Sequence, residues 1–289
     1  MTGPYAAVVR PLVMGVLNVT PDSFFDGGRY FAAPSALGRA RQIIEEGADI
    51  VDVGGESTRP GAIPVEEGEE LRRVLPVVEA LAGEASVAAG EVRISVDTTK
   101  AGVARACLAA GASMVNDVSA SPELAAVAAE AGAAYVAMHA KGSPRTMQDD
   151  PRYDDVVSEV LGFLAERAEA AEAFGVREVW VDPGIGFGKT AHHNLALLEA
   201  TDRVAALGWP VLVGTSRKSF LGRLAAGGPD EPLLGPEERF EGSLASAVWA
   251  MAAGASAVRV HDVAATVQAA RLLGAVAAAP SRQHGEARP

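Results

Sequence analysis

Short apolar runs rich in valine alternate along the chain with longer stretches of mixed apolar and polar residues. The mixed stretch commonly ends in glycine just before the apolar run, as at Gly47 before ADIVDVGG and Gly254 before ASAVRVHD. Glycine after a helix readily takes the left-handed conformation that closes the last turn. The apolar runs are too short for buried helices, and their valine content is typical of parallel strands covered on both faces. Together with Val13–Leu17, they predict eight strands.

The mixed stretches between these runs are amphipathic and predict helices. They cover Ser35–Glu46, Glu66–Ala82, Ala101–Ala110, Pro122–Ala131, Asp154–Phe174, His193–Ala206, Lys218–Ala225, Phe240–Ala253 and Val263–Val276. Strict alternation of strand and helix predicts a parallel sheet with right-handed crossovers. Eight units predict an α/β fold, a single (β/α)8 TIM barrel over residues 1–276, with an open doubly wound sheet as the alternative. Residues 277–289 are small, polar and proline-containing, and we expect this tail to fray.

Composition and charge narrow the classes of function. A net charge of −12 argues against a nucleic-acid surface, which needs a basic stripe, but allows an anionic ligand held by a few basic groups in one cleft. Cys107 is the only cysteine, so the chain forms no internal disulfide and fits a reducing compartment. No signal-peptide pattern and no apolar window of membrane-spanning length is evident. We therefore expect a cytoplasmic protein without nucleic-acid or membrane partners.

The ends of the predicted strands carry hydrogen-bonding side chains, whereas their starts carry mostly glycine and alanine. In a barrel, ligands bind at the carboxyl ends of the strands and on the loops that follow. In chain order these ends carry Asn18, Gly54-Gly55-Glu56, Asp97, Asn116-Asp117, His139, Asp182, Gly214-Thr215-Ser216, Arg259 and His261-Asp262. Asp97 is also open to interpretation as a helix cap, but capping does not explain His139, Arg259 or His261. The asymmetry predicts a site at this end.

The segment Val13–Gly28, VMGVLNVTPDSFFDGG, changes character at Asn18, where a buried strand gives way to polar residues around Phe24-Phe25. One interpretation is an ordinary turn with two core phenylalanines, and the other is a binding loop on the rim of a site. We expect Thr20–Gly28 to be a lid that orders with substrate, because proline and glycine bound it and the aromatic rings can exclude water.

Lysine is scarce in this chain. Lys100, Lys141, Lys189 and Lys218 all lie in or just after strand-to-helix loops. Lys218 opens a helix after the turn at Gly214, and residues 216–219 lie where free backbone N–H groups favour an anion.

The run Asp182–Lys189, DPGIGFGK, fits neither of two nucleotide-binding motifs. Pro183 stands where a P-loop needs glycine, and Lys189 stands where the dinucleotide fingerprint needs one. We infer that the glycines let backbone approach a flat ligand beside Phe187, although core packing also accounts for that ring. The carboxylate at this strand end could accept the paired N–H groups of a pterin or guanine edge. His192-His193 begins a helix and is interpreted as capping, and no zinc-protease or serine-hydrolase motif occurs.

Several segments, in order, resemble the dihydropteroate synthase family from about Val13 to Leu272. They are MGVLNVTPDSFFDGG, DVGGESTRPGA, SVDTTK, the strand end Asn116-Asp117, PRTMQ, DPGIGFGK, GTSRKSFLG and RVHDV. One departure is Ala140, where the family usually has methionine, and it affects only the shape of that loop. A pterin-binding methyltransferase does not need the diphosphate loops, and a silent paralogue would have lost the basic groups. Both sets of residues are present, which favours the synthase.

The resemblance implies a (β/α)8 barrel, usually a homodimer, that acts as a transferase in folate biosynthesis. Such enzymes join 4-aminobenzoate to 6-hydroxymethyl-7,8-dihydropterin diphosphate with the aid of Mg²⁺, and release diphosphate and 7,8-dihydropteroate. Because the aniline nitrogen is a weak nucleophile, we expect a dissociative displacement at the pterin methylene.

The resemblance also assigns roles to individual residues. The pterin-binding groups would be Asp97, Asn116, Asp182 and Lys218. The diphosphate pocket would contain Asn18, Thr58, Arg259 and His261, with Asn18 also a metal ligand. The aminobenzoate would lie beside Pro60, Phe187 and Ser219. Catalysis would depend on Asn18, Lys218, Arg259 and His261, because these groups are suited to the charge that grows on the leaving diphosphate.

Overall fold

The computed structural model describes residues 10–20, 33–57, 62–142, 146–227 and 231–279. The strands within them are β1 (Leu12–Asn18), β2 (Ile50–Gly54), β3 (Arg93–Asp97), β4 (Met114–Asp117), β5 (Ala134–Met138), β6 (Val179–Asp182), β7 (Leu212–Val213) and β8 (Ala257–Val260). The helices are α1 (Ala33–Glu45), α2 (Glu67–Ala82), α3 (Ala85–Ala88), α4 (Ala101–Ala109), α5 (Pro122–Ala131), α6 (Val156–Ala173), α7 (Ala191–Glu199), α8 (Thr201–Ala205), α9 (Ser219–Ala225), α10 (Phe240–Ala252) and α11 (Val263–Ala278), with a 3-10 helix over Pro236–Arg239. Every predicted strand is present.

The strands form one parallel sheet in the order β6-β5-β4-β3-β2-β1-β8-β7. A parallel bridge between Val181 in β6 and Val211, the residue before β7, brings the two edges of the sheet together. Helices lie between successive strands in the chain, as right-handed crossovers require. The predicted (β/α)8 TIM barrel is therefore confirmed, and the open-sheet alternative is wrong.

Two apolar clusters explain why the strands read as continuous apolar runs. The larger lies between strands and helices and includes Ile43 of α1, Leu81 of α2 and Leu164 of α6. The smaller fills the barrel interior with side chains from alternate strand positions. Its buried members are Met14, Ile50, Met114, Ala134, Val136, Trp180, Leu212 and Ala257. Both faces of the strands are thus covered, so neither face needs polar residues until the strands end.

Some bounds differ from the predicted ones. The predicted helix His193–Ala206 is two helices, α7 and α8, which meet at Ala200. The Thr201 hydroxyl donates to the carbonyl oxygen of Leu198 at 2.8 Å, and such a bond competes with the helical backbone. Helix α11 continues to Ala278, two residues beyond its predicted end, and the rest of the predicted tail lies almost wholly outside the described residues.

The predicted lid also falls outside the described residues, apart from Thr20 at its start. None of the helices in the described ranges combines the length and the apolar composition that a membrane crossing requires.

Candidate active site

The polar residues of the candidate site lie directly beyond the apolar interior of the barrel. Side chains two positions apart on a strand point to the same face. Asp52, Asn116, Asp182 and Arg259 each follow a member of the interior cluster by two positions, and Asn18 follows one by four. The alternation that builds the interior core therefore also carries these side chains to the carboxyl end of the barrel.

Arg259 binds two carboxylates from neighbouring strands. Its Nε donates to Asp52 Oδ2 at 2.6 Å, and its Nη2 donates to Asp97 Oδ2 at 2.7 Å. The same oxygen of Asp52 accepts a hydrogen bond from Asn116 Nδ2 at 3.0 Å. Charge-assisted bonds of this kind are the stronger ones in proteins. One network thus joins β2, β3, β4 and β8, and Asp97 belongs to it rather than acting only as a helix cap.

Burial and charge set the protonation of this network. Burial raises the pKa of the Asp97 carboxyl to about 7, while the charge of Arg259 opposes the shift and that of Asp52 adds to it. Burial alone would lower the pKa of Arg259, but the carboxylates of Asp52 and Asp97 raise it above its ordinary value. The pocket therefore contains a permanent cation beside an acidic group that changes charge near neutral pH.

Lys218 reaches from the loop after β7 towards Asp182 at the end of β6. Its ammonium donates to the carbonyl oxygen of Ile185 and lies 4.7 Å from the centroid of the Phe187 ring, within cation–π range. Burial lowers the pKa of Lys218 to about 8, although the charge of Asp182 opposes this shift. Phe187 is only half-buried, and its ring lies against the ammonium of Lys218.

The glycines of the loop Asp182–Lys189 are required by the packing of the protein itself. Gly184 and Gly186 have φ values of 64° and 88°, in the left-handed region. A Cβ on Gly184 would overlap the carbonyl oxygen of His139, and one on Gly186 would lie 2.8 Å from Cδ of Lys218. These glycines let the loop pack on the loop after β5 and leave room for the lysine, and the approach of this backbone to a flat ligand stays a prediction.

Lys189 holds the same loop from within the protein. Its side chain is buried, and its Nζ lies 2.9 Å from His139 Nδ1. The ammonium also donates to the carbonyl oxygens of His139, Gly184 and Phe187 at 3.2, 2.9 and 3.1 Å. Burial, reinforced by the charge of Lys189, lowers the pKa of His139 to about 3. The imidazole is therefore neutral near pH 7, and its Nδ1 accepts the hydrogen bond.

His261 lies two residues beyond Arg259 and binds the loop after β7. Its Nδ1 lies 3.0 Å from Ser216 Oγ, and the same hydroxyl accepts from the backbone N–H of His261 at 3.2 Å. The Ser216 hydroxyl thus bonds to both the ring and the backbone of His261, and it holds the imidazole in position.

Arg217 stabilises this loop instead of facing a ligand. Its backbone has a φ of 59°, and its guanidinium binds Asp262 at 2.8 Å. Its N–H donates to Ser243 Oγ at 2.8 Å, and the N–H of Lys218 donates to a carbonyl in the same turn at 3.2 Å. Two N–H groups predicted to be free over residues 216–219 are therefore used within the protein.

The comparisons with known proteins agree with this geometry. The family model for pterin binding enzymes matches residues 14–261. The chain is 45% identical over 281 residues to the dihydropteroate synthase of Escherichia coli strain K12. This match covers 96% of this chain and 95% of that protein. The chain belongs to the dihydropteroate synthase family.

Solved structures of this family are similar over almost the whole chain. The dihydropteroate synthase of Xanthomonas albilineans with 4-aminobenzoic acid has a TM-score of 0.83 at 47% identity, covering 94% of this chain and 95% of that one. The structure of that enzyme with 7,8-dihydropteroate has a TM-score of 0.80 at 44% identity, covering 95% and 96%.

Of the residues that the family resemblance singled out, most lie together. Asp97, Asn116, Asp182, Lys218, Arg259 and His261 are at the carboxyl end of the barrel with Asn18 and Phe187. Ser219 begins α9 at the same end and is exposed. Thr58 and Pro60 lie outside the described residues.

Other strand-end residues are used to stabilise loops. Asp117 accepts from the Tyr135 hydroxyl at 2.9 Å and from two backbone N–H groups of the loop that follows. Lys100 binds Glu56 and the fully buried Glu70. These contacts within the protein show that a polar strand end alone does not identify a ligand-binding group.

Of the predicted capping pair His192-His193, His193 caps α7 in a capping box with Thr190. The backbone N–H of Thr190 donates to His193 Nδ1 at 3.3 Å, and that of His193 donates to Thr190 Oγ1 at 3.2 Å.

Three residues of this site were missed by sequence reasoning. The signal for Asp52 was present, because it is an acid inside the buried run Ile50–Val53, and buried acids are rare unless paired. Gln148 Nε2 donates to the carbonyl oxygen of Gly186 at 2.8 Å, and Asn194 Oδ1 accepts from its N–H at 2.7 Å. These two contacts join segments that are distant in sequence, and no local sequence pattern predicts them.

Replacing the buried ammonium of Lys189 tests its role in the loop. We expect Lys189→Met to lower the free energy of unfolding by about 2–4 kcal/mol, because several buried acceptors lose their donor. Urea denaturation of both proteins measures the difference. Lys141→Met, a half-exposed lysine in the adjacent loop, is the control and should change stability by less than about 1 kcal/mol. Equal urea midpoints for Lys189→Met and the parent would contradict the proposed role.

Proposed function

We propose that this chain condenses 6-hydroxymethyl-7,8-dihydropterin diphosphate with 4-aminobenzoate to give 7,8-dihydropteroate and diphosphate. The activity follows from membership of the family, whose members match this chain over 92% and 96% of its length in two examples. The observation that carries the assignment of the site is the convergence of Arg259 and Lys218 with Asp97 and Asp182 in one pocket. The residue roles and the order of bond changes are our proposal.

The pterin ring is assigned to the wall formed by Asp97, Asn116, Asp182 and Lys218. Carboxylates at two strand ends are suited to the N–H groups of a pterin edge, and an amide can both donate and accept. Lys218 adds a donor that is already held by Ile185. The wall thus offers acceptors and donors on a flat ligand's edge, and the residues below it are apolar.

The diphosphate is assigned to Arg259, His261, Asn18 and Thr58. Fixed donors of this kind stabilise charge that develops on a leaving group. The aminobenzoate is assigned to the space beside Phe187, Ser219 and Pro60, where the Ser219 hydroxyl would bind its carboxylate. Arg259, bound on one side by two carboxylates, is oriented before the substrate arrives.

In the proposed mechanism, the bond between the pterin methylene and the diphosphate oxygen breaks first. The electron pair leaves with the diphosphate, and the methylene becomes cation-like, with charge delocalised into the ring. Asp97 and Asp182 stabilise this charge through the ring. The lone pair of the aniline nitrogen then forms the new C–N bond, and the nitrogen releases one proton. No side chain acts as a covalent nucleophile.

The residues at this end of the barrel fit a Mg²⁺ ion that is held mainly by the diphosphate of the bound substrate. Within the described part of the chain, no cluster of three or more His, Cys, Asp or Glu side chains is arranged to bind a metal. Mg²⁺ commonly takes one or two protein oxygens together with substrate phosphates and water. In our proposal Asn18 supplies an amide oxygen, and the bound ion contributes positive charge to the leaving diphosphate.

We also propose that the chain works as a cytoplasmic homodimer. Trp249 on α10 is 56% exposed, and Leu195 on α7 and Leu224 on α9 are also exposed. Helix α10 packs against both α7 and α9, so these side chains belong to adjoining outer faces. Large apolar side chains grouped on a surface are typical of protein interfaces, and we assign this face to a second copy of the chain.

Two substitutions separate the proposed roles of the basic groups. We expect Lys218→Ala mainly to raise KM for the pterin diphosphate, and Arg259→Ala to lower kcat by about 10²–10³, because it removes a donor to the leaving group. Dihydropteroate formation from the two substrates with Mg²⁺ measures both. Arg223→Ala, an exposed arginine on α9, is the control. Unchanged kinetics in both variants would refute the site, and absence of product from the folded parent would refute the activity.

Isotope exchange tests the order of bond changes. If diphosphate leaves first, labelled diphosphate should be incorporated into pterin diphosphate in the presence of an unreactive aminobenzoate analogue. The label is followed by separating the two phosphorylated compounds. Product formation without any such exchange, under all combinations of analogue and Mg²⁺, would argue for a concerted displacement.

A charge placed on the proposed interface tests the dimer. We expect the parent to sediment as a dimer and Trp249→Glu to sediment as a monomer, because a carboxylate in an apolar interface loses its hydration. Analytical ultracentrifugation measures both. Gln42→Glu, which places a charge on the exposed face of α1, is the control and should remain dimeric. A monomeric parent would end the proposal, and a dimeric Trp249→Glu would move the interface elsewhere.

A further inference from the structure

Asp52 is a buried acid near the carboxyl end of the barrel, and the family resemblance assigned no role to it. Its side chain is 0% exposed, and it lies in the middle of β2 between Val51 and Val53. The layer beneath it is apolar and includes Ile50, Met14 and Met114, so packing does not call for an acid there. A buried carboxylate is costly unless it is paired, and an apolar residue at such a position is often as stable.

One atom of Asp52 makes both of its contacts with the proposed site. Oδ2 accepts from Arg259 Nε at 2.6 Å and from Asn116 Nδ2 at 3.0 Å. Oδ1 is buried and has no hydrogen-bond partner among the described residues. The carboxylate is therefore held by these two bonds, and they in turn fix the direction of the guanidinium and of the amide.

We propose that Asp52 is a positioning residue that couples the pterin and diphosphate parts of the site through its one shared oxygen. The proposal rests on the proposed function, in which Asn116 faces the pterin and Arg259 faces the diphosphate. Because one oxygen holds both Asn116 and Arg259, it fixes the position of the pterin ring relative to the leaving diphosphate. Breaking the bond between ring and diphosphate depends on this relative position. Asp52 itself does not touch the reacting atoms.

The contribution of Asp52 differs from that of Asp97, the second carboxylate on Arg259. Asp97 binds Nη2 of the guanidinium at 2.7 Å, and among the hydrogen bonds of the described residues none joins its side chain to that of Asn116. Loss of Asp97 would leave Arg259 and Asn116 joined through β2, whereas loss of Asp52 separates them. Asp97 itself belongs to the pterin wall and bonds to Arg259, whereas Asp52 belongs to neither subsite and is, among the described residues, the carboxylate that bonds to both Arg259 and Asn116.

Two substitutions of Asp52 remove different parts of this bridge. Asp52→Asn keeps an acceptor oxygen for both donors but removes the charge, and Asp52→Val removes both in a β-branched residue suited to the strand. We expect kcat/KM for the pterin diphosphate to fall about tenfold in the first and about a hundredfold in the second, as misplacement of reacting groups does. If the valine variant fails to fold, the asparagine variant still decides.

Ser95→Ala is the matched control. Ser95 is the register neighbour of Asp52 on β3, equally buried, and its hydroxyl has no hydrogen-bond partner among the described residues. Its removal disturbs the same layer without touching Arg259 or Asn116, and we expect parental kinetics. Equal losses in Ser95→Ala and Asp52→Asn would show that the layer is merely sensitive to packing, and would overturn the proposal.

A pH profile supplies a readout that a packing defect does not move. The charged groups that face Asp97 are Arg259, Asp52, Glu70, Asp117 and Lys218. The raised pKa of Asp97, about 7, means that the carboxylate is lost as pH falls through that value, and kcat/KM for the pterin falls with it. Asp52→Asn removes a negative neighbour, so the acid limb should move to lower pH. An acid limb of the pH profile that stays at the same pH in Asp52→Asn would contradict the influence of Asp52 on Asp97.

A double-mutant cycle completes the test. In an Asn116→Ala background, Asp52→Asn should raise KM for the pterin diphosphate by a smaller factor than in the parent, because one of its two partners is already absent. Independent, multiplicative effects would overturn the shared anchor. Activity of the parent is measured first, so a silent parent marks failure of the proposed function, and an active parent with unaffected Asp52 variants marks failure of this inference.

Discussion

A permanently charged guanidinium held between two buried carboxylates is the interaction on which this site depends. Arg259 keeps its charge at the end of β8 because Asp52 and Asp97 face it, and that charge in turn opposes the rise in the pKa of Asp97 that burial causes. Each of these three charged side chains would be costly to bury without its partners, so each holds the others in place. The network also ties four strands together at the end where the pocket opens, which makes the pocket's floor part of the fold rather than an addition to it.

Much of this arrangement was predictable because it follows from periodicity. Apolar runs bounded by glycine predicted the strands, and the alternation of strand and helix predicted the barrel. Residues in phase with the interior cluster, such as Asn116, Asp182 and Arg259, then had to meet at one end. The same periodicity explains two strand-end residues that do not join this group. Asp117 and His139 each follow an inward-facing residue by one position, so they lie on the other face, and both bond within the protein.

What could not be predicted depends on contacts between distant loops. The glycines of DPGIGFGK are needed for packing that local sequence does not reveal, because a Cβ at Gly184 would meet a carbonyl from another loop and one at Gly186 would meet Lys218. Lys189 and Lys218 stand in similar loops and are indistinguishable by composition, yet one is sealed inside a loop and the other faces the pocket. Sequence identifies the kind of residue, and packing decides which side of the loop it occupies.

The closure of the barrel has a consequence for the ligand. Strand β7 is two residues long, and β6 meets it through a bridge at Val181 and Val211. This short contact is a seam, and Asp182 and Lys218 stand on its two sides, one ending β6 and the other in the loop after β7. A flat ring bonded to both would act as a staple across the seam. Substrate binding would then stiffen the barrel at the place where its own hydrogen bonding is thinnest.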